Sequence, residues 1–241
     1  MDQGAEKDFV LGPTQYLFWS LGILLEASVL VCAFARQSFR RYILLNLYMA
    51  ATLFAEIGRF QILKHFGFSS REFAYFYFYS DALLTILLYF AVISLYALIL
   101  DEMKAERYVR LGAVLLLGGT ALFSYAVVQQ SSSKMLSHFV FELSQNLYFV
   151  GLVLTFVLWG AILKLRETRT RVIQFVLSLG VYFSAFAATY ALRNLFPNLD
   201  WPRTYLVPTL GILLPLAWAH TFWRVPEEAR LAPARLAVIP R

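Results

Sequence analysis

Five ionisable side chains lie inside apolar stretches of this sequence and are its strongest candidates for chemistry. They are Glu26, Glu56, Arg59, Asp81 and Arg193. On insertion scales, such a group costs about 2.5–3.5 kcal/mol at the centre of a membrane helix unless it is paired or hydrated. We therefore expect these side chains to share partners, either in a binding site or in internal ion pairs.

Helical spacing groups these charges into stripes. Glu56 and Arg59 are three residues apart, so their side chains can pair along one helix face. Tyr77 and Asp81 are four residues apart in the next apolar stretch, so they also share a face. Both stripes fall toward the same end of the predicted bundle, and we expect them to face each other there.

Two later stretches add polar residues at the same depth. Tyr182 and Arg193 belong to one stripe that is expected to face the interior of the bundle. Gln145 and Asn146 lie in the outer turns of the fifth stretch. The polar residues thus become more frequent toward the outer side.

These stripes predict an outward-facing polar cavity that could hold a small ligand. Its candidate residues are Glu56, Arg59, Asp81, Arg193, Tyr77, Gln145, Asn146 and Tyr182. A structural alternative is equally open at this stage. Two buried ion pairs, joining Glu56 or Asp81 to Arg59 or Arg193, could simply fix the register of the helices.

The sequence gives no sign of a catalytic centre, a metal site or a cofactor. The usual hydrolytic and nucleotide-binding motifs are absent, and the one cysteine, Cys32, allows no internal disulfide. Since the last apolar stretch contains no lysine, the chain is not a retinal pigment of the seven-helix type. A haem ligated by His65 and His138 is the remaining cofactor option, and we expect surface or cavity hydrogen bonds for those residues instead. We expect a protein that is not an enzyme and that binds no cofactor.

The composition indicates a membrane protein. Sixty per cent of the 241 residues are hydrophobic and 15% are charged, whereas soluble domains carry about 25% charged residues. The formal net charge of +6 comes from Lys and Arg scattered at the ends of apolar runs. Their expected partners are anionic lipid headgroups, not nucleic acid.

Seven stretches are long enough to cross a bilayer, and uninterrupted apolar runs of this length form helices, not barrel strands. We therefore predict an all-α bundle of seven transmembrane helices, which forms a single domain over residues 1–241. The predicted helices cover residues 16–34, 42–63, 74–100, 111–128, 139–163, 172–195 and 205–223.

The loops predict the orientation, because short loops rich in Lys and Arg remain in the cytoplasm. One set of connections holds 14 Lys and Arg, whereas the other set holds five. The N-terminus is therefore predicted outside and the C-terminus in the cytoplasm. The expected location is a cell membrane crossed several times, as in the bacterial inner membrane.

Two short motifs carry a resemblance to a known group. Arg41 and Tyr42 open the second helix, and the run from Tyr75 to Asp81 opens the third. With the spacing of the seven helices, these features resemble a group of acidobacterial seven-helix membrane proteins to which no activity is assigned. We expect Glu in that group at the position of Asp81. The architecture is also similar to the seven-helix sensor modules of bacterial kinases, although this chain has no effector domain.

Three functions remain open from the sequence. The first is sensing or binding of a small molecule in the polar cavity. The second is a structural or accessory role in a larger membrane assembly, with membrane proteins as partners. The third is a transporter or proton channel.

Overall fold

Hydrocarbon forces each crossing segment to satisfy its own backbone hydrogen bonds, and the chain does so with helices. The computed structural model describes residues 13–67, 70–100, 106–129, 135–165, 168–196 and 206–230. Within those residues the predicted all-helical fold is confirmed. Seven α-helices occur in them: α1 (Pro13–Ala35), α2 (Ile43–Phe66), α3 (Arg71–Ile99), α4 (Glu106–Gln129), α5 (Met135–Leu165), α6 (Thr170–Leu195) and α7 (Val207–Arg224).

Five of the helices are long and apolar enough to cross a bilayer, counting the described residues. These are α1, α2, α3, α5 and α6. The apolar part of α4 is shorter, Leu111–Ala126. α7 has 18 residues, which at 1.5 Å per residue is about 27 Å, close to the hydrocarbon thickness of about 30 Å. A multi-pass membrane protein is thus indicated, while seven crossings and the orientation of the termini stay predictions.

The outer surface of the bundle suits lipid. Large apolar side chains are exposed on each helix, for example Leu24 (67%), Phe54 (72%), Leu122 (72%) and Leu163 (73%). A soluble protein rarely exposes apolar residues over so much of its surface. Lipid contact explains this surface, because acyl chains solvate these side chains as well as a protein core does.

Six helices form a closed ring, in the order α1, α2, α3, α5, α6 and α7, and α7 packs back against α1. α4 lies outside this ring, against α5 and α3. Contacts between α3 and α6 cross the interior. The ring therefore brings together residues that are far apart in the sequence.

Close helix contacts depend on glycine at two positions. A Cβ at Gly58 of α2 would come within 2.6 Å of the Phe76 ring of α3. A Cβ at Gly151 of α5 would come within 2.3 Å of the Phe183 ring of α6. Both glycines thus let an aromatic ring fill the space next to the polar interior.

An aromatic core closes the end of the bundle where α1 ends, α2 begins and α7 ends. We call this the tail end. Tyr42, Phe175, Trp218 and Phe222 are each at most 2% exposed. The Tyr42 ring lies 5.1 Å from the Phe175 ring and 5.8 Å from the Phe222 ring. This core fixes α2, α6 and α7 to each other.

Candidate functional site: the central polar cluster

Arg59 on α2 anchors the polar residues of the bundle interior. Its Nη1 donates to Glu56 Oε1 at 2.7 Å, which confirms the pairing of these two residues along one face. Its Nε and Nη2 donate to the Ser80 hydroxyl at 3.1 and 2.9 Å. The guanidinium carbon also lies 4.4 Å from the centre of the Tyr77 ring. Arg59 is only 8% exposed, and its guanidinium group has partners on both α2 and α3.

Asp81 lies one residue beyond Ser80 on α3, and its carboxyl group turns toward α5. It interacts with the side chain of Ser144 and, electrostatically, with Arg59 and Glu56. It is part-buried. Among the described side chains no cation forms a salt bridge with Asp81, because Arg59 makes its salt bridge with Glu56.

Three tyrosines extend the cluster across the ring of helices. Tyr48, Tyr148 and Tyr182 are 6%, 5% and 8% exposed and come from α2, α5 and α6. Tyr182 interacts electrostatically with Tyr48 and Tyr148. Tyr148 also interacts with the side chain of Thr85, one turn below Asp81 on α3. Hydroxyl groups from four helices thus meet in the interior.

Glu26 adds a carboxyl group from α1. It is 5% exposed, and its Oε2 has no hydrogen-bond partner. It interacts electrostatically with Glu56 and Arg59. Tyr48 interacts electrostatically with both Glu26 and Asp81, so the two carboxyl groups belong to one set of interacting side chains.

We call this set the central polar cluster. Its members are Glu26, Tyr48, Glu56, Arg59, Tyr77, Ser80, Asp81, Thr85, Ser144, Tyr148 and Tyr182. Five of the ring helices, α1, α2, α3, α5 and α6, contribute to it.

The cluster contains most of the candidate residues that the sequence suggested. Glu56, Arg59, Tyr77, Asp81 and Tyr182 all belong to it. The side chain of Arg193, on α6, lies outside the described residues. Of the two pairs in the structural alternative, the Glu56–Arg59 pair is present.

The two candidates on α5 lie differently. Asn146 donates to the Ser124 hydroxyl of α4 at 3.0 Å, so it joins α5 to the helix outside the ring. Gln145 is part-buried. The α5 residues that reach the cluster are instead Ser144 and Tyr148, which are four residues apart and share a face. Asn146 lies two residues from each of them, which places it on the opposite side of the helix.

Sequence reasoning missed several members of the cluster because they are uncharged. Ser80, Ser144 and Tyr148 carry hydroxyl groups, which occur throughout this chain and are individually cheap to bury. The spacing of Ser144 and Tyr148 by one helical turn was the available signal. Tyr48 offered none, because its place beside Glu26 depends on how α1 packs against α2.

A second charged cluster, at the tail end, was not expected at all. Arg171 of α6 is 3% exposed, although the sequence placed it among loop cations. Its Nη1 donates to Ser38 Oγ at 2.6 Å and pairs with Glu227 Oε2, and its Nε donates to the Val225 carbonyl oxygen at 3.0 Å. Arg171 thus fixes the segment after α7 to the loop after α1.

Glu227 has further partners in the turn directly before α2. Arg41 pairs with Glu227 Oε1 at 3.1 Å, and the Tyr42 hydroxyl donates to the same oxygen at 3.1 Å. We call Ser38, Arg41, Tyr42, Arg171, Val225 and Glu227 the tail clasp. The available signal was a pair of carboxylates, Glu227 and Glu228, directly after the last helix and among connections rich in arginine.

Two more arginines strengthen the same end. Arg36 donates from Nη2 to the Trp223 carbonyl oxygen at 2.9 Å and lies 5.1 Å from the centre of the Trp223 ring. Arg169 donates to the Leu98 carbonyl oxygen at 2.9 Å. Both therefore cap helix ends, where carbonyl groups have no partner within the helix.

Comparison with protein-family models, curated proteins and solved structures finds no match to this chain.

The two clusters differ in the chemistry they can support. In the tail clasp, each carboxylate oxygen of Glu227 meets a donor. In the central polar cluster, by contrast, one oxygen of Glu26 has no partner and Asp81 has no salt bridge among the described side chains. Among the described residues, the buried polar side-chain atoms without a hydrogen-bond partner are Trp19 Nε1, Glu26 Oε2 and Asn46 Oδ1. Glu26 Oε2 is the carboxyl oxygen in this set, and it lies in the central polar cluster.

Proposed function

We propose that this chain is a non-enzymatic membrane protein that binds a small molecule in the central polar cluster and thereby senses it. The observation that carries the proposal is the Oε2 atom of Glu26, which is buried and has no hydrogen-bond partner. Native proteins pair the large majority of buried polar atoms, so such an atom calls for an explanation. A ligand with a complementary donor would provide one.

The position of the cluster supports a sensing role. Its residues come from α1, α2, α3, α5 and α6, which are five of the six ring helices. A ligand that contacts all five would change the relative stability of any two arrangements of the ring in which those contacts differ. A ligand effect could then reach the tail end through α6, which carries Arg171 of the tail clasp, and through α2, which begins directly after Tyr42.

The experiment is a ligand screen on the purified full chain in detergent. Thermal unfolding is followed for the wild type and for Asp81→Asn, with Glu72→Gln as the matched control. Glu72 lies on the same helix and is exposed. We expect at least one metabolite to raise the unfolding temperature of the wild type and of Glu72→Gln but not of Asp81→Asn. If no compound shows this pattern in a broad screen, the proposal is wrong.

A structural or accessory role is the second candidate, and a specific observation favours it. Arg59 has each of its described contacts inside the chain, to Glu56, Ser80 and Tyr77, as expected of a pair that fixes helix register. Purification from native membranes separates the candidates. A stoichiometric partner protein that is lost with Arg59→Met, but kept with the exposed control Lys64→Met, would favour the subunit.

A further inference from the structure

The ligand class follows from the charge balance of the central polar cluster. Its described side chains include three carboxyl groups, from Glu26, Glu56 and Asp81, and one guanidinium group, from Arg59. Arg59 pairs with Glu56 at 2.7 Å. Glu26 and Asp81 are therefore left without a salt bridge among the described side chains, and both interact electrostatically with Tyr48.

The unequal numbers of carboxyl and guanidinium groups matter because the groups are buried. Glu26 is 5% exposed, and an ionised group at that depth is stable only when it is paired or hydrated. An anionic ligand would add to the negative charge. A neutral ligand could donate a hydrogen bond, but it would not compensate the charge of an ionised Glu26, which would then have to be protonated. A cation compensates the charge and, if it has N–H groups, can also donate to the free oxygen of Glu26.

The neighbouring groups suit an ammonium ion. The tyrosine and serine hydroxyls of the cluster can all accept hydrogen bonds, and an ammonium group offers up to three donors. Aromatic rings lie beside them, since the Phe186 ring is 4.9 Å from the Tyr148 ring and 4.6 Å from the Tyr182 ring. Aromatic faces attract organic cations, and Arg59 over Tyr77 shows such a contact within this cluster.

We infer that the ligand of the central polar cluster is a small organic ammonium ion, held between Glu26 and Asp81 with its carbon atoms against the aromatic rings of α5 and α6. This inference rests on the proposed function and narrows it to one ligand class. It requires both carboxylates, and it excludes anionic ligands.

The test uses matched probes on the full chain in maltoside detergent and phosphate buffer, neither of which contains an amine. The probes are methylammonium, propylammonium and phenethylammonium chloride, each compared with the alcohol of the same carbon skeleton. Sodium chloride at equal concentration controls for ionic strength, and propionate is the anionic probe. Thermal unfolding and calorimetric titration give the stabilisation and the Kd.

We expect at least one ammonium probe to stabilise the wild type more than its alcohol counterpart and more than sodium chloride. Asp81→Asn and Glu26→Gln should each weaken its binding at least tenfold, whereas Glu72→Gln should leave the Kd unchanged. Asp81→Glu, which keeps the charge, should retain part of the affinity. Because a lost response could also come from misfolding, each variant must keep the wild-type helical circular dichroism spectrum and elution volume.

Three results would overturn the inference. They are equal stabilisation by an alcohol and its ammonium counterpart, equal stabilisation by sodium chloride, and binding of propionate that depends on Asp81. If no ammonium probe acts but a neutral or anionic metabolite binds in an Asp81-dependent manner, the proposed function stands and the ligand class is wrong. If nothing binds in that manner, both are wrong.

Discussion

The tail clasp and the central polar cluster each contain a buried arginine, Arg171 at 3% and Arg59 at 8% exposure. Arg171 reaches partners that are 54 to 133 residues away in the sequence. Arg59 reaches partners only three to 21 residues away. Arg171 thus joins segments that are far apart in the sequence, whereas the hydrogen bonds of Arg59 join the neighbouring helices α2 and α3.

The two clusters differ in whether their carboxyl groups have salt-bridge partners. In the tail clasp each carboxylate oxygen of Glu227 has a described partner, so we expect its charges to stabilise the fold. Among the described side chains, the central polar cluster contains two carboxyl groups in addition to the one that pairs with Arg59. Natural binding sites often retain such locally unfavourable groups because function needs them. We therefore expect neutralisation of Glu26 or Asp81 to cost less stability than substitutions in the tail clasp.

Loss of Arg171 should have the largest effect. Arg171→Met would leave Glu227, the Ser38 hydroxyl and the Val225 carbonyl oxygen without their donor. Removing one partner of a buried ion pair costs about 3–5 kcal/mol, and we expect a loss of about 3 kcal/mol because Glu227 is partly exposed. SDS titration of the detergent-solubilised protein measures the free energy of unfolding. Arg224→Ala, an exposed arginine at the same end, should change it little. Equal effects of the two variants would show that the tail clasp does not stabilise the fold.

Loss of Arg59 should have a smaller effect. Arg59→Met removes the donor to Glu56 and Ser80, and hydrogen bonds to charged groups contribute about 1.5–3 kcal/mol. We expect the free energy of unfolding to fall by about 2 kcal/mol in the same titration, because the Glu56 side chain is 21% exposed. Lys64→Met on the same helix is the control. A loss greater than that of Arg171→Met would reverse the proposed ranking of the clusters.

Neutralising Glu227 should cost less again. Glu227→Gln keeps the shape of the side chain and an acceptor oxygen, but it removes the charge that faces Arg171 and Arg41. We expect a loss of about 1 kcal/mol. A double-mutant cycle with Arg171→Met should show strong coupling, since both variants break the same contact. Additive effects would argue against that contact. Glu228→Gln, which is exposed, is the matched control.

Neutralising the surplus carboxyl groups should have the smallest effect, and it can be favourable. Glu26→Gln and Asp81→Asn each remove a charge that has no described salt-bridge partner. We expect unfolding free energies within about 1 kcal/mol of the wild type, or above it. Thermal unfolding without ligand measures this. A loss of several kcal/mol in either variant would show that its carboxyl group has a structural partner. That carboxyl group would then stabilise the fold, as the charges of the tail clasp are expected to do.

Particular residues show how far the sequence could predict the structure. The predicted helices agree with the observed ones to within five residues at each end. The largest difference is at α4, which begins at Glu106 and not at Leu111, because polar turns extend a helix beyond its apolar run. The Glu56–Arg59 pair was predictable because residues three positions apart in a helix lie on the same face.

Other contacts depend on helix packing and could not be predicted in this way. Arg171 was counted as a loop cation because its only visible property was its charge. Its burial depends on the segment after α7 folding back over the start of α6, where Thr170 donates to the Ala229 carbonyl oxygen at 3.2 Å. Likewise, Ser144 and Asn146 are two residues apart on α5. Only the packing of α5 against its neighbours decides which of the two faces α3.

The sequence by itself determined that this chain forms apolar helices with a few charges at membrane depth, because hydrocarbon leaves an apolar segment no other way to satisfy its backbone. Only the tertiary structure decided which charged and polar groups meet across different helices. Arg171 and Glu227 are 56 residues apart, and Glu26 of α1 interacts electrostatically with Tyr48 of α2. Such contacts depend on the rotation of each helix about its axis, and that rotation is set by side-chain packing between helices.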